Sequence, residues 1–342
     1  MKVLVTGIDG YIGSVLGQVL LEKGFDVVGI DAGFYSSGLL YGGIKKSPKV
    51  ITKDIRKIKL SDLKGFDAVV HLAELSNDPL GQNDPTLTYQ INHRASVRLA
   101  KLAKKAKVKR FVYMSSCSVY GIATQDLVDE KSKPNPQTIY AKCKLLVERD
   151  VSKLASKNFS PTFLRSATAY GASSRQRFDL VVNDLAALAY VEQNIKLSSD
   201  GTPWRPFIHV RDIAEAISLV LKSPPNNIHN QILNLGNGAS NYQIKEIASI
   251  IGKVFKGCKI TFGKIDGDTR SYKVSFEKIK KILPQFRCKY DIKKGAIELK
   301  KIFESINLNG EIYKSAPYTR IKQIKHLIES NQLDEKLFWR HK

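Results

Sequence analysis

The sequence predicts an α/β fold: a doubly wound parallel sheet with a smaller, mostly helical domain. Three observations support this prediction. Short apolar runs alternate with amphipathic stretches over residues 1–170, as they do in βαβ units. A glycine-rich turn directly follows the first apolar run. Residues 68–72 (AVVHL) are apolar around a single histidine, as expected of a strand that is covered on both faces.

The elements follow from this alternation. Strands are predicted at Lys2–Thr6, Asp26–Asp31, Val50–Thr52, Ala68–Leu72, Phe111–Ser115 and Pro161–Leu164, with helices at Tyr11–Lys23, Thr86–Lys107 and Thr138–Ser156. After residue 170 the pattern predicts a helix at Phe178–Gln193, a turn at Asp200–Pro203, a strand at Phe207–His209, a helix at Val210–Leu221, a strand at Gln231–Leu235, and a helical, lysine-rich remainder that ends in a helix near Tyr318–Asn331. We assign residues 1–170 to the sheet domain, with 206–236 returning to it, and 171–205 and 237–342 to the second domain.

The composition is that of a globular protein of 342 residues with 43% hydrophobic residues. No apolar stretch approaches the roughly 20 residues that cross a bilayer, so we expect no membrane segment. The four cysteines (Cys117, Cys143, Cys258, Cys288) form no CxxC pair and have no histidines at metal spacing. Free thiols in the cytoplasm and the absence of a metal are therefore expected.

The formal net charge of +23 raises the question of nucleic-acid binding. The basic residues are mostly lysines spread along the chain, and the densest run, Lys101–Arg110, lies at a predicted helix end where cations favour the helix dipole. Neither an RNP-like aromatic motif nor zinc-finger spacing is present. A lysine-rich surface is the favoured interpretation, and its positive field suits an anionic substrate such as a nucleotide-linked sugar.

Gly7, Gly10 and Gly13 form a GxxGxxG turn between the first strand and the first helix. Glycines at these positions allow a tight turn and a close approach of the backbone to a pyrophosphate. The helix N-terminus adds free N–H groups and the positive end of its dipole. This arrangement predicts a Rossmann dinucleotide site.

Asp31 ends the second strand about twenty residues beyond the turn. A carboxylate there accepts hydrogen bonds from the ribose hydroxyls and repels a 2′-phosphate, so NAD is predicted over NADP. Asp54, which precedes Ile55, is a candidate contact of the adenine amine, although an aspartate before Ile is also an ordinary helix start.

Two segments predict redox chemistry on a hydroxyl. Residues 115–121 (SSCSVYG) follow a strand at the ligand-binding edge of the sheet, and Tyr140 and Lys144 lie one turn apart on the next helix. A buried Lys144 would stabilise the phenolate and pull the pKa of Tyr140 down from about 10. Tyr140 would then exchange a proton with the substrate hydroxyl while hydride moves to or from the nicotinamide. Ser116 would bind the same substrate oxygen, and Lys144 the nicotinamide ribose.

These motifs and HLA at residues 71–73 occur in order along the chain. As a set they make the chain resemble the extended short-chain dehydrogenase/reductases, in the nucleotide-sugar epimerase/dehydratase group. The resemblance implies NAD as cofactor, a nucleotide-diphosphate sugar as substrate, and a homodimer built on the two long helices, Thr86–Lys107 and Thr138–Ser156. It assigns the cofactor to Gly7, Gly10, Tyr11, Ile12, Gly13, Asp31, Asp54, Ile55, Leu72, Ala73, Tyr140 and Lys144, and catalysis to Ser116, Tyr140 and Lys144.

In the second half, the same resemblance places three residues at the nucleotide. Asn183, at the end of residues 177–183 (RFDLVVN), would reach the diphosphate, and Arg205, in residues 204–212 (WRPFIHVRD), would clamp a phosphate. Arg270, at the end of residues 267–270 (GDTR), is a second candidate for that task. Both arginines have an alternative role in surface ion pairs.

The two positions after Ser116 bear on the reaction, because dehydratases that resemble this group carry an Asp-Glu pair there and this chain has Cys117 and Ser118. A 4-epimerase, which oxidises C4, turns the keto sugar and returns the hydride, needs no such pair. Cys117 is either an acid or base beside the sugar or a packed thiol.

Glu74 directly follows the HLA motif, at a position where a small residue is commoner in the family it resembles. Its side chain is either functional or simply solvated. Asn77, Asp78 and Asp84 add polar groups without assigned roles. A dehydratase or ketoreductase for a modified sugar remains an alternative. A non-catalytic nucleotide- or RNA-binding scaffold is another, although the intact Ser116, Tyr140 and Lys144 set argues against it.

Overall fold

The computed structural model describes residues 1–42, 47–76, 78–123, 125–263 and 270–340. Within these ranges the strands are Lys2–Thr6 (β1), Asp26–Asp31 (β2), Lys49–Thr52 (β3), Ala68–His71 (β4), Arg110–Ser116 (β5), Leu127–Val128 (β6), Ser160–Ser166 (β7), Thr168–Tyr170 (β8), Asn194–Lys196 (β9), Trp204–His209 (β10), Gln231–Leu235 (β11), Asn241–Gln243 (β12), Lys259–Thr261 (β13) and Lys273–Val274 (β14). The α-helices are Tyr11–Glu22 (α1), Asp78–Asn83 (α2), Pro85–Thr88 (α3), Ser96–Lys105 (α4), Ile139–Ser152 (α5), Val181–Val191 (α6), Val210–Lys222 (α7), Pro225–Ile228 (α8), Ile244–Val254 (α9), Glu277–Ile282 (α10), Ile292–Ser305 (α11), Gly310–Lys314 (α12) and Arg320–Glu329 (α13).

Seven strands form one sheet in the order β3-β2-β1-β4-β5-β7-β11, and all neighbouring strands run parallel. The chain winds outward in one direction from β1 to β3 and in the other from β4 to β11. Such a reversal opens a crevice at the carboxyl ends of the two central strands, β1 and β4, where ligands of this architecture bind. The predicted doubly wound parallel sheet is confirmed.

Helices cover both faces of this sheet, as its continuously apolar strands require. On one face, α1 and α7 pack together through side chains such as Leu16 and Ile217. On the other, α4 and α5 contribute Leu99 and Val147 to a second core. In the part of the chain that is described, no helix combines the length and the apolar character needed to cross a bilayer.

The predicted helix Thr86–Lys107 forms, but not as one regular α-helix. Between α3 and α4 the segment Tyr89–Ala95 is π-helical, and it carries Asn92. The Asn92 amide accepts from the backbone N–H of Leu75 at 2.8 Å and donates to the Leu75 carbonyl at 3.0 Å. The extra residue in this turn therefore aims a buried amide at the loop after β4, and single-turn π segments of this kind are frequent at functional sites.

A smaller helical unit packs around α6, α9 and α11. Its core contains Ala186, Ile247 and Leu299. Strand β10 joins this region, since it pairs in parallel with β8 and antiparallel with β12. The chain then returns to the large sheet through α7 and β11.

The last part of the chain differs from the expected division. Ile279 of α10 packs into the core beneath α1 and α7, and Ile324 and Leu327 of α13 pack into the core on the other face of the sheet. Segments within 237–342 therefore lie against the sheet domain as well as the helical unit. The amphipathic pattern predicted these helices, but such a pattern does not identify which core a helix covers.

Candidate active site

A cavity of about 890 Å³ lies at the carboxyl ends of the central strands, between the sheet domain and the helical unit. Its wall includes the glycine turn, the end of β2, the loop after β4, the end of β5 and the start of α5. Residues from β10, from the segment before β14 and from the start of α13 complete it. This volume is in the range of small-molecule and cofactor sites.

The glycine turn has no room for side chains at two of its positions. Gly7 has φ +74°, and a Cβ there would lie 2.8 Å from the backbone nitrogen of Ala73. A Cβ on Gly13 would lie 2.0 Å from the Gly7 carbonyl oxygen. Helix α1 begins at Tyr11; its N-cap residue, Gly10, has no side chain to cap it, and its first turn carries no acidic residue. This arrangement leaves helix amides for an anion, so the turn fits a pyrophosphate.

Asp31 is held at the cavity by two backbone donors. Its carboxylate accepts from the N–H of Asp9 at 3.0 Å and of Gly33 at 2.8 Å. Burial raises the pKa of Asp31, and the hydrogen bond from Gly33 opposes that increase. The carboxylate is thus oriented before any ligand arrives, as a ribose acceptor needs to be.

The predicted adenine contacts also line the cavity, but Asp54 has local partners. Its carboxylate accepts from the N–H of Arg56 at 2.7 Å and pairs with the Arg56 guanidinium at 2.6 Å. It caps the 3₁₀ turn Ile55–Lys57, so the helix-start interpretation describes what this side chain does in the structure. Leu72 and Ala73 lie on the same wall beside the glycine turn.

Ser116, Tyr140 and Lys144 all reach the cavity. Ser116 ends β5, and its hydroxyl oxygen accepts from the N–H of Ser118 at 3.1 Å. Tyr140 is the second residue of α5, which Thr138 caps, and Lys144 follows one turn later. The Lys144 Nζ lies 5.3 Å from the centroid of the Tyr140 ring. The strand and the helix therefore bring together the three side chains that the sequence named.

Lys144 is paired with Glu74, a residue to which the sequence gave no firm role. The Lys144 Nζ lies 2.7 Å from Glu74 Oε2 and also donates to the Met114 carbonyl. The Tyr113 hydroxyl donates to Glu74 Oε1 at 2.5 Å. Burial is the largest single influence and lowers the pKa of Lys144, but Glu74, Tyr140 and Glu148 together raise it by more, so the net shift is upward. Lys144 is thus a buried ammonium with its own counter-ion.

This pairing corrects the expected electrostatics of Tyr140. Burial raises the pKa of Tyr140, Lys144 lowers it, and Glu74 and Asp78 raise it again, so that the pKa lies above its ordinary value. The sequence predicted a lowered pKa because it counted Lys144 and neither the burial of the phenol, which is the largest influence, nor the two carboxylates. In the absence of ligand Tyr140 is a protonated phenol at neutral pH.

Cys117 lies in the core behind the cavity wall and not on it. The thiol is 1% exposed, does not line the cavity, and donates to the Arg165 carbonyl at 3.1 Å. Burial raises the pKa of Cys117 well above that of a free thiol, and a thiolate there would be isolated in the core. The burial and the hydrogen bond of Cys117 favour the packed-thiol interpretation.

Cys117→Ala is therefore expected to change turnover by less than about twofold while lowering the free energy of unfolding by about 1 kcal/mol, because it removes one buried sulfur and its weak hydrogen bond. Steady-state rates and urea denaturation of the two proteins check this. A loss of more than tenfold in turnover with the fold intact would restore a chemical role for the thiol.

Asn183 does not reach the cavity either. It is fully buried, and its amide accepts from the N–H of Gly171 at 2.9 Å and donates to the Arg177 carbonyl and the Tyr11 hydroxyl. The Tyr11 hydroxyl in turn donates to the Gly171 carbonyl at 2.8 Å. Asn183 thus ties α6 to α1, and with these bonds formed it has no group left for a diphosphate. Tyr11 itself lines the cavity.

Arg205 and Arg270 lie together on the side of the cavity formed by the helical unit. The Arg205 guanidinium donates to the Arg270 carbonyl and lies 5.3 Å from the centroid of the Tyr272 ring. Arg270 pairs with Asp78 at 2.5 Å. Both are half-buried and line the cavity, so two guanidinium groups face it from this side.

Two further arginines in the wall were not predicted as site residues. Arg177 pairs with Asp179 at 2.8 Å, and Arg320 stacks on Tyr35 with its guanidinium carbon 3.9 Å from the ring centroid. Burial and the neighbouring charge of Arg177 lower the pKa of Arg320 to about 10. Arg177 lies in the RFDLVVN segment, whereas Arg320 comes from the distant α13 and left no local signal in the sequence.

The remaining polar residues that the sequence analysis named do not all lie at the cavity. Asp78 lines the cavity, whereas Asp84 caps α3 by accepting from Leu87 at 2.8 Å. Asn77 and residues 267–269 lie outside the described residues. Among the residues that are described, no group of histidine, cysteine or acidic side chains is arranged to hold a metal ion.

Comparisons with known proteins agree with this geometry. The NAD dependent epimerase/dehydratase family matches residues 3–236. A UDP-glucose 4-epimerase of Lactobacillus helveticus is 30% identical over 283 residues, which are 72% of this chain and 81% of the relative. The structure of UDP-glucuronic acid 4-epimerase from Bacillus cereus with UDP-glucuronic acid and NAD is 28% identical, has a TM-score of 0.75, and covers 89% of this chain and 100% of its own. The NDP-hexosamine 5,6-dehydratase TunA, at 21% identity and a TM-score of 0.78 over 89% of this chain and 98% of its own, shares the fold.

Proposed function

The chain belongs to the NAD-dependent epimerase/dehydratase family, and from that premise we propose that it is a nucleotide-sugar 4-epimerase, an isomerase that transiently oxidises a sugar hydroxyl to a ketone. One observation carries the proposal. Ser116, Tyr140 and Lys144 converge on the cavity of the glycine turn, while the two positions after Ser116 hold a buried thiol and a hydroxyl instead of carboxylates. The site thus has the groups for reversible oxidation and lacks an added acid–base pair there for removing water.

The residues present fit NAD. The space above Gly7 and Gly13, which a Cβ would fill, suits a pyrophosphate, and the oriented carboxylate of Asp31 suits a ribose. When bound, NAD supplies a hydride acceptor and donor, so oxidation and reduction balance over one turnover. Lys144, protonated beside Glu74, would hold the nicotinamide ribose, whereas Asp31 would hold the adenosine ribose.

Tyr140 and Ser116 act on the sugar in this proposal. The Tyr140 hydroxyl returns a proton to the sugar oxygen in the reduction step and, as phenolate, removes one in the oxidation step. Ser116 donates a hydrogen bond to the same oxygen, because its own oxygen is already oriented by the N–H of Ser118. Both side chains stay in place while the keto sugar presents its other face.

Arg205 and Arg270 would hold the diphosphate. A guanidinium group can bind two phosphate oxygens at once, and these two arginines line the cavity from β10 and from the segment before β14. Arg270 would exchange its contact with Asp78 for a phosphate oxygen. The uridine nucleotides named for the relatives make UDP-sugars the first substrates to test.

A dehydratase is less well supported. Two carboxylates near Tyr140 face the cavity in the described chain, and both have partners: Glu74 pairs with Lys144, and Asp78 with Arg270 and with the Thr138 hydroxyl at 2.5 Å. In the proposed complex Glu74 keeps Lys144 as its partner, and Asp78 still accepts from the Thr138 hydroxyl when Arg270 turns to a phosphate. A ketoreductase would consume NADH, which the experiment below also detects.

The test is isomerisation by the protein saturated with NAD across UDP-, GDP-, CDP- and dTDP-sugars, followed by NMR of the sugar ring. The expected result is the C4 epimer of at least one UDP-sugar with no net reduction of the cofactor. A 4-keto-deoxy or unsaturated sugar would establish a dehydratase instead, and net consumption of NADH a reductase. Salt-sensitive RNA binding without turnover would support the scaffold alternative.

The preference for NAD supplies a separate prediction at Asp31. Asp31→Asn is expected to narrow the preference for NAD over NADP by about 10- to 100-fold, because a charged hydrogen-bond acceptor that repels a 2′-phosphate is lost. Affinities for both dinucleotides, measured by calorimetry, check it. Asp26→Asn at the exposed start of the same strand is the control and is expected to leave the ratio unchanged. An unchanged ratio in Asp31→Asn would contradict the assignment.

We also propose that the enzyme is a cytoplasmic homodimer built on the helices Tyr89–Lys105 and α5. Half-buried apolar side chains on these elements, such as Tyr89 and Leu146, leave surface for a second copy to cover. The four cysteines are free, as a reducing compartment would keep them. Light scattering is expected to give twice the mass of the chain, and the mass of a single chain would contradict the dimer.

A further inference from the structure

Glu74 lines the cavity, and its side chain is buried. Its side chain is 2% exposed, and it follows β4 in a loop that the Asn92 amide holds through both backbone groups of Leu75. The carboxylate is therefore not a mobile surface group that has turned inward. The π-helical segment that carries Asn92 fixes where it lies.

The two oxygens of Glu74 have different neighbours: one accepts a hydrogen bond, and the other makes an ion pair. Oε1 accepts from the Tyr113 hydroxyl at 2.5 Å, and Oε2 lies 2.7 Å from the Lys144 ammonium. One N–H of the Lys144 ammonium is donated to the Met114 carbonyl, and the ammonium lies between that carbonyl and the Glu74 carboxylate.

Resting on the proposed function, we propose that Glu74 is a positioning residue that holds the Lys144 ammonium against the Met114 carbonyl, and that its negative charge limits how far Lys144 can stabilise ionised Tyr140. A lysine without a counter-ion in this place would exert its full attraction on the phenolate. With Glu74 beside it, the pair is close to neutral, and the phenol keeps its proton to a higher pH.

The other charges around Tyr140 do not remove this effect. Arg177 favours the phenolate and Asp78 opposes it, so they act in opposite directions. His71, beneath the loop, bonds to Thr6 and Ser96, and burial lowers its pKa to about 3, so it is neutral.

One more carboxylate, Glu148, bears on the pair of Glu74 and Lys144. Glu148, one turn after Lys144 on α5, is paired with Arg165 at 2.7 Å and acts on Lys144. Burial raises the pKa of Glu74, and Lys144 and the Tyr113 hydroxyl oppose that increase. Glu74 is therefore the counter-ion that touches Lys144, whereas Glu148 has another partner.

The test is the ionisation of Tyr140 itself, read from the ultraviolet absorbance of tyrosinate in NAD-saturated protein. Subtracting the titration of the Tyr140→Phe protein isolates this one phenol from the other tyrosines. Glu74→Gln is expected to lower the Tyr140 pKa by about one pH unit, which makes the tyrosinate fraction about tenfold larger at neutral pH. Glu74→Asp, which keeps the charge, is expected to restore most of the original value.

Glu148→Gln is the matched control, since it removes a carboxylate from the other buried ion pair on α5. It is expected to lower stability and leave the Tyr140 titration unmoved. An unchanged or higher Tyr140 pKa in Glu74→Gln, or an equal shift in Glu148→Gln, would overturn the proposal. If Glu74→Gln does not fold, Glu74→Ala removes the same charge and is judged by the same criterion. The titration needs no turnover, so a failure of the epimerase proposal would appear in the isomerisation assay and not here.

Discussion

Tyr140→Phe is expected to lower turnover by about 10³-fold while NAD stays bound, because the variant loses the one group that exchanges a proton with the sugar oxygen. The phenyl ring keeps the packing of the start of α5. Lys144 and Glu74 keep each other as partners, so their ion pair does not depend on the hydroxyl. Initial rates with an active UDP-sugar, and the NAD content of the purified protein, measure the two parts of this result.

Tyr170→Phe is the control for this substitution. Tyr170 is buried, lies outside the cavity wall, and donates its hydroxyl hydrogen bond to the Tyr290 carbonyl at 3.3 Å. Its loss is expected to cost about 1 kcal/mol of stability and less than twofold in turnover. Turnover of Tyr140→Phe within tenfold of the unmodified protein would show that another group transfers the proton.

Gly13→Ala is expected to weaken NAD binding by about 10- to 100-fold and to lower the free energy of unfolding by about 1–3 kcal/mol. The new methyl would stand 2.0 Å from the Gly7 carbonyl oxygen and 2.7 Å from the Ile8 Cα, which are backbone atoms without a rotamer to change. The backbone of the glycine turn must then shift, and this shift displaces the backbone groups that would bind the pyrophosphate. Calorimetric titration with NAD and urea denaturation check both effects.

Gly252→Ala is the comparison, because this glycine also lies within a helix, α9. A Cβ there would meet the end of a side chain, Ile260 Cδ1 at 3.1 Å. The change is expected to leave NAD affinity unaltered and to alter stability by less than about 1 kcal/mol, since the better helix propensity of alanine offsets the contact. Equal effects of the two substitutions would mean that the turn has no special role.

Much of the fold could be predicted because local pattern determines it. The strands β1, β2 and β11 have the predicted bounds, and the glycine turn, Asp31, Tyr140 and Lys144 reach one cavity. In each case the geometry follows from neighbours in the chain: a strand followed by glycines and a helix, or two residues one helical turn apart. Parallel strands then bring their carboxyl ends to a common edge.

The errors come from packing between distant segments. Asn183 follows an apolar run at the start of a helix, which does not show that its amide bonds to Tyr11 and Gly171. The Glu74 side chain depends on Tyr113 from β5 and Lys144 from α5. Arg320 reaches the cavity only because α13 returns to the sheet domain. No spacing within any one of these segments contains that information.

The central claim is that the site carries out a redox-neutral inversion at C4. The most direct measurement uses UDP-glucose and UDP-glucuronate that carry deuterium at C4, with NMR of the product in ordinary water. The account predicts the C4 epimer with the deuterium still at C4, since the same hydride leaves and returns, and with the bound NAD unchanged at the end. Loss of the label from C4, loss of water from the sugar, or accumulation of reduced cofactor would contradict it.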